Sequence, residues 1–502
     1  MTVDALIRSV GAGQDGTEAL LQLARSALAE GKEETALPFL LAAAPRRREA
    51  LLWQWAGILQ RALDEHADAL VSFAEAAKLA PRDPSIALGR AYVALEAGVE
   101  SIPSFELARR LAPADGQVLI GLNAARLAAG QAGLALADLD AVLDRGPLWI
   151  DGHRQYAQLR ALSGDPASAA LSLERALARH PDQTVLWHEL CDLHVRREDY
   201  AQLLVAVGRA LSGGQPAAQF SNHGAIAAGE LGDPSAEQLL SAAAVDRDPR
   251  LRAWRLRLLL RSGRAAEVLP LIDQELRSER ASYVWPYAAL AWRMTGDPRH
   301  EWLAGDPRLV SVLDLAADLP PLAEMAGHLR DIHAHSGQYL DQSVRGGSQT
   351  DGPLLRRIDP RIRQLRAAIV AAVDRHVAQL PEPDPAHPTL GPPRDARVRF
   401  AGSWSVRLRG GGCHSNHVHP QGWISSALYV ALPERGADEP ADSGWLTLGE
   451  PQAELGLDLP PLRKIEPRPG QLVLFPSWMW HGTEPFAEGE RLTVAFDVAM
   501  PG

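Results

Sequence analysis

Prolines fall at positions 45, 81, 113, 147, 181, 216 and 249, with spacings of 36, 32, 34, 34, 35 and 33 residues. Each interval is rich in alanine and leucine at helical spacing and carries a polar or glycine-containing break near its middle, such as "SGDP" at 163–166. A period of this length with one internal break predicts two helices per unit. A single helical pair cannot bury its apolar face alone, so the first 300 residues are expected to stack as an all-α solenoid.

Glu49 to Pro81 is the clearest unit, with Trp53, Gly57, Ala69, Phe73, Ala76 and Pro81 at fixed positions. The next places Gly89, Tyr92, Phe105, Ala108 and Pro113 in the same register, and a later one keeps Ala157, Ala169, Leu173, Ala176 and Pro181. This pattern resembles the tetratricopeptide repeat. Small residues let paired helices approach, aromatics fill the gap to the next pair, and proline closes the second helix. The resemblance implies a scaffold whose concave face holds a peptide or protein. His153, His180, His188 and His194 lie in these helices and are read as packing or surface residues.

The chain has 502 residues, enough for two or more domains. Its formal charge of -11 argues against general affinity for nucleic acid or anionic membranes. Cys191 and Cys413 are the only cysteines and lie in regions of different character, which suggests neither a disulfide framework nor a thiolate zinc site. The N-terminus shows no signal-peptide pattern, and no run of about 18 apolar residues occurs, so a cytoplasmic protein is expected.

The repeat pattern ends near residue 300. Residues 306–377 read as helix, Gly/Ser-rich loop, helix, followed by the proline-rich "LPEPDPAHPTLGPP" at 380–393. From Arg397 the period becomes two. "VRFAGSWSVRL", "WISSALYVAL", "GWLTL", "GQLVLF" and "RLTVAFDVA" predict short strands of an antiparallel barrel or sandwich. "RGGG" at 409–412 is not a phosphate loop, because no helix or lysine motif follows, and reads as a hairpin turn.

"CHSNHVHPQGW" at 413–423 holds three histidines. On a strand, His417 and His419 project to one side and His414 to the other, so the first two could share a metal. His481 leaves the apolar strand "QLVLF" 62 residues after His419 and supplies a third ligand. Ten residues on, Arg491 shares a strand face with Thr493, Ala495 and Asp497. A buried arginine there needs an anion. It would be a dicarboxylate cosubstrate held bidentately, or a glutamate such as Glu484 or Glu490 in a structural salt bridge.

An H-x-H pair, a distal histidine and an arginine about ten residues later, spread over short strands, resemble the iron(II)- and 2-oxoglutarate-dependent oxygenases with a double-stranded β-helix. "NHVHPQGWISSALYVALP", "PGQLVLFPSWMWHGTEPF", "LDQSVRGGSQT" at 340–350 and "HPTLG" at 387–391 are similar to a bacterial and phage group within them, often joined to tetratricopeptide repeats. The resemblance spans roughly Asp306 to the C-terminus. It implies a repeat domain at 1–300 and an oxygenase domain at 301–502, with a jelly-roll core from about 397 to 500 that takes in the proline-rich stretch.

It also implies that His417, His419 and His481 hold Fe(II), while Arg491, Thr493 and Tyr429 fix 2-oxoglutarate; no catalytic residue beyond the metal ligands is required. Asn416, Trp423, Ser425 and Arg345 are candidates for contacts with substrate or around the ligands. Trp404, Trp478 and Trp480 read as barrel core or rim. His419 stands where the usual triad has a carboxylate, which leaves zinc as a competitor, since three imidazoles and a water suit it. The expected activity is oxygen-dependent hydroxylation of a side chain on a peptide or protein captured by the repeats. Two alternatives stay open: a small-molecule oxygenase whose repeats serve homodimerisation, and a non-catalytic adaptor with a structural metal site.

Overall fold

The computed structural model describes residues 2–11, 16–242, 249–278, 281–337, 339–340 and 343–501. Its contacts divide the chain into two compact units. One comprises residues 1–135 with 351–370, the other 136–350 with 371–501.

In the first unit, helices such as Ala50–Ala62, His66–Leu79, Pro84–Glu96 and Ile102–Leu111 follow one another in antiparallel pairs. The Phe73 ring is buried between Gly57 and Gly89, and a β-carbon at either glycine would lie 2.7 or 2.4 Å from it. Asp83 caps its helix by accepting from the amides of Ser85 and Ile86. The helices ending at Leu79, Leu111, Arg145 and Arg179 all stop within two residues of a repeat proline. Pro45, Pro216 and Pro249 depart from this rule, Pro216 lying four residues beyond Ser212 as the N-cap of the helix Ala217–Leu231. Pro45 lies inside the last turn of Glu33–Arg47, and Pro249 opens the helix Pro249–Arg261, where its missing N–H costs nothing.

The second unit joins helices from Ile150–Leu162 to Arg299–Ala304 with a β-fold whose strands, among the described residues, are β1 (Ser311–Asp314), β2 (Val344–Gln349), β3 (Phe400–His414), β4 (Gly422–Ala431), β5 (Leu446–Leu448), β6 (Arg463–Ile465), β7 (Gln471–Pro476), β8 (His481–Thr483) and β9 (Glu490–Ala499). A six-stranded sheet runs β1-β7-β4-β9-β3-β2 and a three-stranded one β6-β5-β8, with every pairing antiparallel. The period-two segments predict the antiparallel strands, and the double-stranded β-helix is the fold that the family resemblance implies. One apolar core spans both parts. Leu260, Ile272 and Trp292 from the helices pack in the same cluster as Leu448, Phe475 and Trp480 from the strands.

Three local expectations are corrected. Residues 306–314, read as helical, form a single 3-10 turn and β1, because Ser311–Asp314 complete the edge of the sheet beside β7. The Gly/Ser-rich "loop" contains β2, whose glycines are needed because a β-carbon at Gly347 would lie 2.4 Å from the Arg407 carbonyl of β3; Asp341 and Gln342 of that motif lie outside the described residues. "RGGG" is no turn. It lies within β3, where Gly411 has φ +77° and donates to the Phe486 carbonyl. The proline-rich stretch packs closely: His387 is buried, facing the Leu303 carbonyl and accepting at Nδ1 from the amides of Thr389 and Leu390. Among the described residues no helix is long and apolar enough to cross a membrane.

Candidate metal centre and cosubstrate pocket

His417 and His481 face each other through an isolated antiparallel bridge in which each backbone amide donates to the other's carbonyl, at 2.9 and 3.0 Å. His419 follows two residues later, its amide donating to the Ser477 carbonyl. These links bring the three imidazoles together, with one ring nitrogen from each within 4.8 Å of the others.

The Nδ1 atoms are already committed. That of His417 donates to the Ser415 carbonyl at 2.8 Å and that of His481 to the Met479 carbonyl at 3.0 Å, while that of His419 meets the Asp497 carboxylate at 2.5 Å. Because carbonyls only accept, the proton sits on Nδ1 and Nε2 carries the lone pair that a cation would take, that of His417 facing Ser343 Oγ at 3.2 Å. Burial and neighbouring imidazoles hold His417 and His481 well below the usual histidine range, so they are neutral donors near pH 7. Three imidazoles whose Nδ1 atoms are turned to protein acceptors fit Fe(II), and equally zinc.

Arg491 and Thr493 are buried on β9 and line an inner cavity of about 50 Å³ together with the three histidines. The Arg491 guanidinium carbon stands 5.1 Å from the centroid of the Tyr429 ring. Neither Arg491 Nε nor the Tyr429 hydroxyl has a hydrogen-bond partner of good geometry. Burial lowers the Arg491 pKa, opposed by Tyr429 beside it. The acids that could have neutralised Arg491 are engaged elsewhere: Glu490 with Arg330 and Arg407, Glu484 with Lys464. A buried guanidinium with unused donor capacity beside a metal-binding floor fits an anionic ligand.

The other candidates separate. Ser425 lines the inner cavity and donates to Asp497 at 2.6 Å. Asn416 is spent on bracing, donating to the Pro451 carbonyl and accepting from Thr447. Trp423 points away, its indole donating to the Thr389 carbonyl. Arg345 reaches Glu198 of the helical repeats at 3.5 Å on the rim. His414 is not turned to the opposite side. Its ring stacks 5.9 Å from that of His417 and lines the same cavity, because the strand ends at His414 and alternation does not continue through Ser415 and Asn416. Burial pushes its pKa down to about 3, and its Nδ1 faces Ser343 Oγ at 3.1 Å, so it stands beside the cluster without joining it.

Sequence reasoning missed three contributors. Asp497 was placed on the right face but not paired with His419, 78 residues away. Trp404 stacks on His419 with ring centroids 5.6 Å apart and planes 6° from parallel. Outside the histidines opens a cavity of about 1000 Å³, walled by Arg196, Arg197, Tyr283 and Tyr287 of the helical region as well as by Trp404 and Gln421 of the barrel. Nothing local in the sequence signals that wall, since it forms from segments more than 100 residues apart.

Residues 402–497 match the family model described as "Putative 2OG-Fe(II) oxygenase", and residues 150–193 match that described as "Tetratricopeptide repeat". No curated protein matches the chain at a significant level. Among solved structures, similarity is found to YrrB, a TPR protein with an unusual peptide-binding site, at 18% identity over 37% of this chain and 98% of that one, with a TM-score of 0.29. It is also found to a prolyl-4-hydroxylase from Pseudomonas putida at 20% identity over 38% and 93%, TM-score 0.26. HygX from Streptomyces hygroscopicus, with nickel and 2-oxoglutarate bound, matches at 13% identity over 38% and 82%, TM-score 0.25. The chain thus carries a tetratricopeptide repeat and, C-terminal to it, a domain of the 2OG-Fe(II) oxygenase family, which uses Fe(II) and 2-oxoglutarate.

Proposed function

We propose that this protein is a 2-oxoglutarate-dependent hydroxylase acting on a side chain of a peptide or protein. The observation that carries the reading is Arg491, a buried guanidinium with unused donor capacity on the same small cavity as three converging imidazoles. A merely structural metal site has no use for such a group. In this reading His417, His419 and His481 hold Fe(II) through Nε2, Arg491 and Thr493 bind the far carboxylate of 2-oxoglutarate, and Tyr429 seats the guanidinium. Bound Fe(II) and 2-oxoglutarate supply the chemistry, oxidative decarboxylation of the cosubstrate coupled to oxygen insertion into a C–H bond. The chain supplies placement: Trp404 stacks on the His419 ring, and Phe475 and Leu446 line the inner cavity beside the imidazoles. The substrate reaches the site through the outer cavity, whose size and partly helical wall suit a polypeptide segment.

The test is anaerobic reconstitution with Fe(II), titration with 2-oxoglutarate, then admission of oxygen and assay of succinate with and without candidate peptides. Binding of 2-oxoglutarate by the ferrous protein and peptide-stimulated succinate are expected. Ferrous protein that binds no 2-oxoglutarate would sink the oxygenase reading, and succinate stimulated only by small molecules would sink the peptide reading.

A further inference from the structure

We infer that Asp497 supplies, through the imidazole of His419, the negative charge that a three-histidine site lacks, and so tunes it for Fe(II). The inference rests on the metal reading above. Three features of the geometry point to it. Of the three clustered histidines, His419 alone is backed by a carboxylate, whereas His417 and His481 are backed by neutral carbonyls. His419 is also the one standing where the H-x-carboxylate pattern has its acid. Finally, the Asp497 carboxylate is positioned: one oxygen accepts from Ser425 at 2.6 Å while the other meets His419 Nδ1 at 2.5 Å, and strand pairing sets Ser425 directly opposite Asp497.

A carboxylate that accepts a hydrogen bond from the far nitrogen of a ligating imidazole draws its proton and makes the near nitrogen a stronger donor. The site then behaves as two neutral imidazoles and one partly anionic ligand, close in charge to two histidines and a carboxylate. Packing holds the arrangement in place. Trp404 covers one face of the His419 ring, and a β-carbon at Gly422 would lie 2.6 Å from Ser477 Oγ and 3.3 Å from the Asp497 β-carbon. Asp497 is therefore a positioning residue that acts through His419 and touches no reacting atom.

The experiment measures Fe(II) affinity of the full chain by anaerobic competition with a chelator. Asp497→Asn keeps an acceptor for His419 but removes the charge, and a 10- to 100-fold weakening is expected. Adding His419→Asp to that variant moves the charge onto the ligand position itself and should restore most of the loss. A second measurement needs no variant: in protein loaded with Zn(II) as a diamagnetic probe, the His419 Nδ1 proton should resonate well downfield of those of His417 and His481. Asp497→Asn affinity within twofold of the parent, no recovery in the double variant, or three Nδ1 protons resonating together would each overturn the inference while leaving the oxygenase reading standing. Failure of the parent protein to bind Fe(II) would overturn both.

Discussion

Period two along β9 is enough to place Arg491, Thr493 and Asp497 on one buried face, and the structure keeps them there. What the local pattern could not supply is their partners: the Tyr429 ring under the guanidinium, and His419 against the Asp497 carboxylate. Strand alternation failed for His414 for the same reason, since it holds only while the strand lasts. The roles separate by substitution. His481→Ala should abolish Fe(II) binding. Arg491→Ala should leave it intact and weaken 2-oxoglutarate binding by about 1.5–3 kcal/mol, roughly 10- to 150-fold, as expected for losing charge-assisted hydrogen bonds. Equilibrium titration of each variant with metal and then with cosubstrate checks this, and equal metal loss in both would contradict the assignment.

Helical periodicity and repeat spacing made the solenoid readable because each pair is stabilised by its immediate neighbours in sequence. The contact of Phe73 with Gly57 and Gly89 shows how narrow the tolerance is. Gly89→Ala should destabilise the first unit by about 1–3 kcal/mol through overpacking, and Phe73→Ala by about 3–5 kcal/mol through the cavity it leaves, both read by chemical denaturation. β1 and β2 were hidden because they form the two edges of the six-stranded sheet, defined by long-range pairing rather than by alternation of their own. In β2 the glycines that look like a loop are what let the chain lie against β3.

Across the second unit, the last helices and the barrel share one core, and polar links reinforce it: Trp480 donates to the Pro286 carbonyl, and Arg293 to those of Gly449 and Pro460. A fragment starting at residue 301 is therefore expected to expose half of that core and to fail to fold cooperatively, which expression and thermal melting of the fragment would show. Within the same unit His333 and His376 are buried with pKa values pushed down to about 4 by loss of solvation. Between that value and the unfolded value of about 6.5 the unfolded chain binds more protons. Stability should accordingly fall as pH drops through this window, by up to about 3 kcal/mol per histidine. Urea titrations at pH 7 and pH 5 test the slope, and His333→Gln should flatten it. At the rim, Tyr287→Ala should raise KM for a peptide substrate while leaving 2-oxoglutarate binding unchanged, as measured by peptide-dependent succinate release.

Because Arg196, Arg197, Tyr283 and Tyr287 wall the cavity above the histidines, the repeats here are more than a detachable arm. A lineage that exchanged this helical array for another would replace part of its own active-site wall in the same step. On the proposed function, substrate range and scaffold would then change together, through the helix ends that face the cavity.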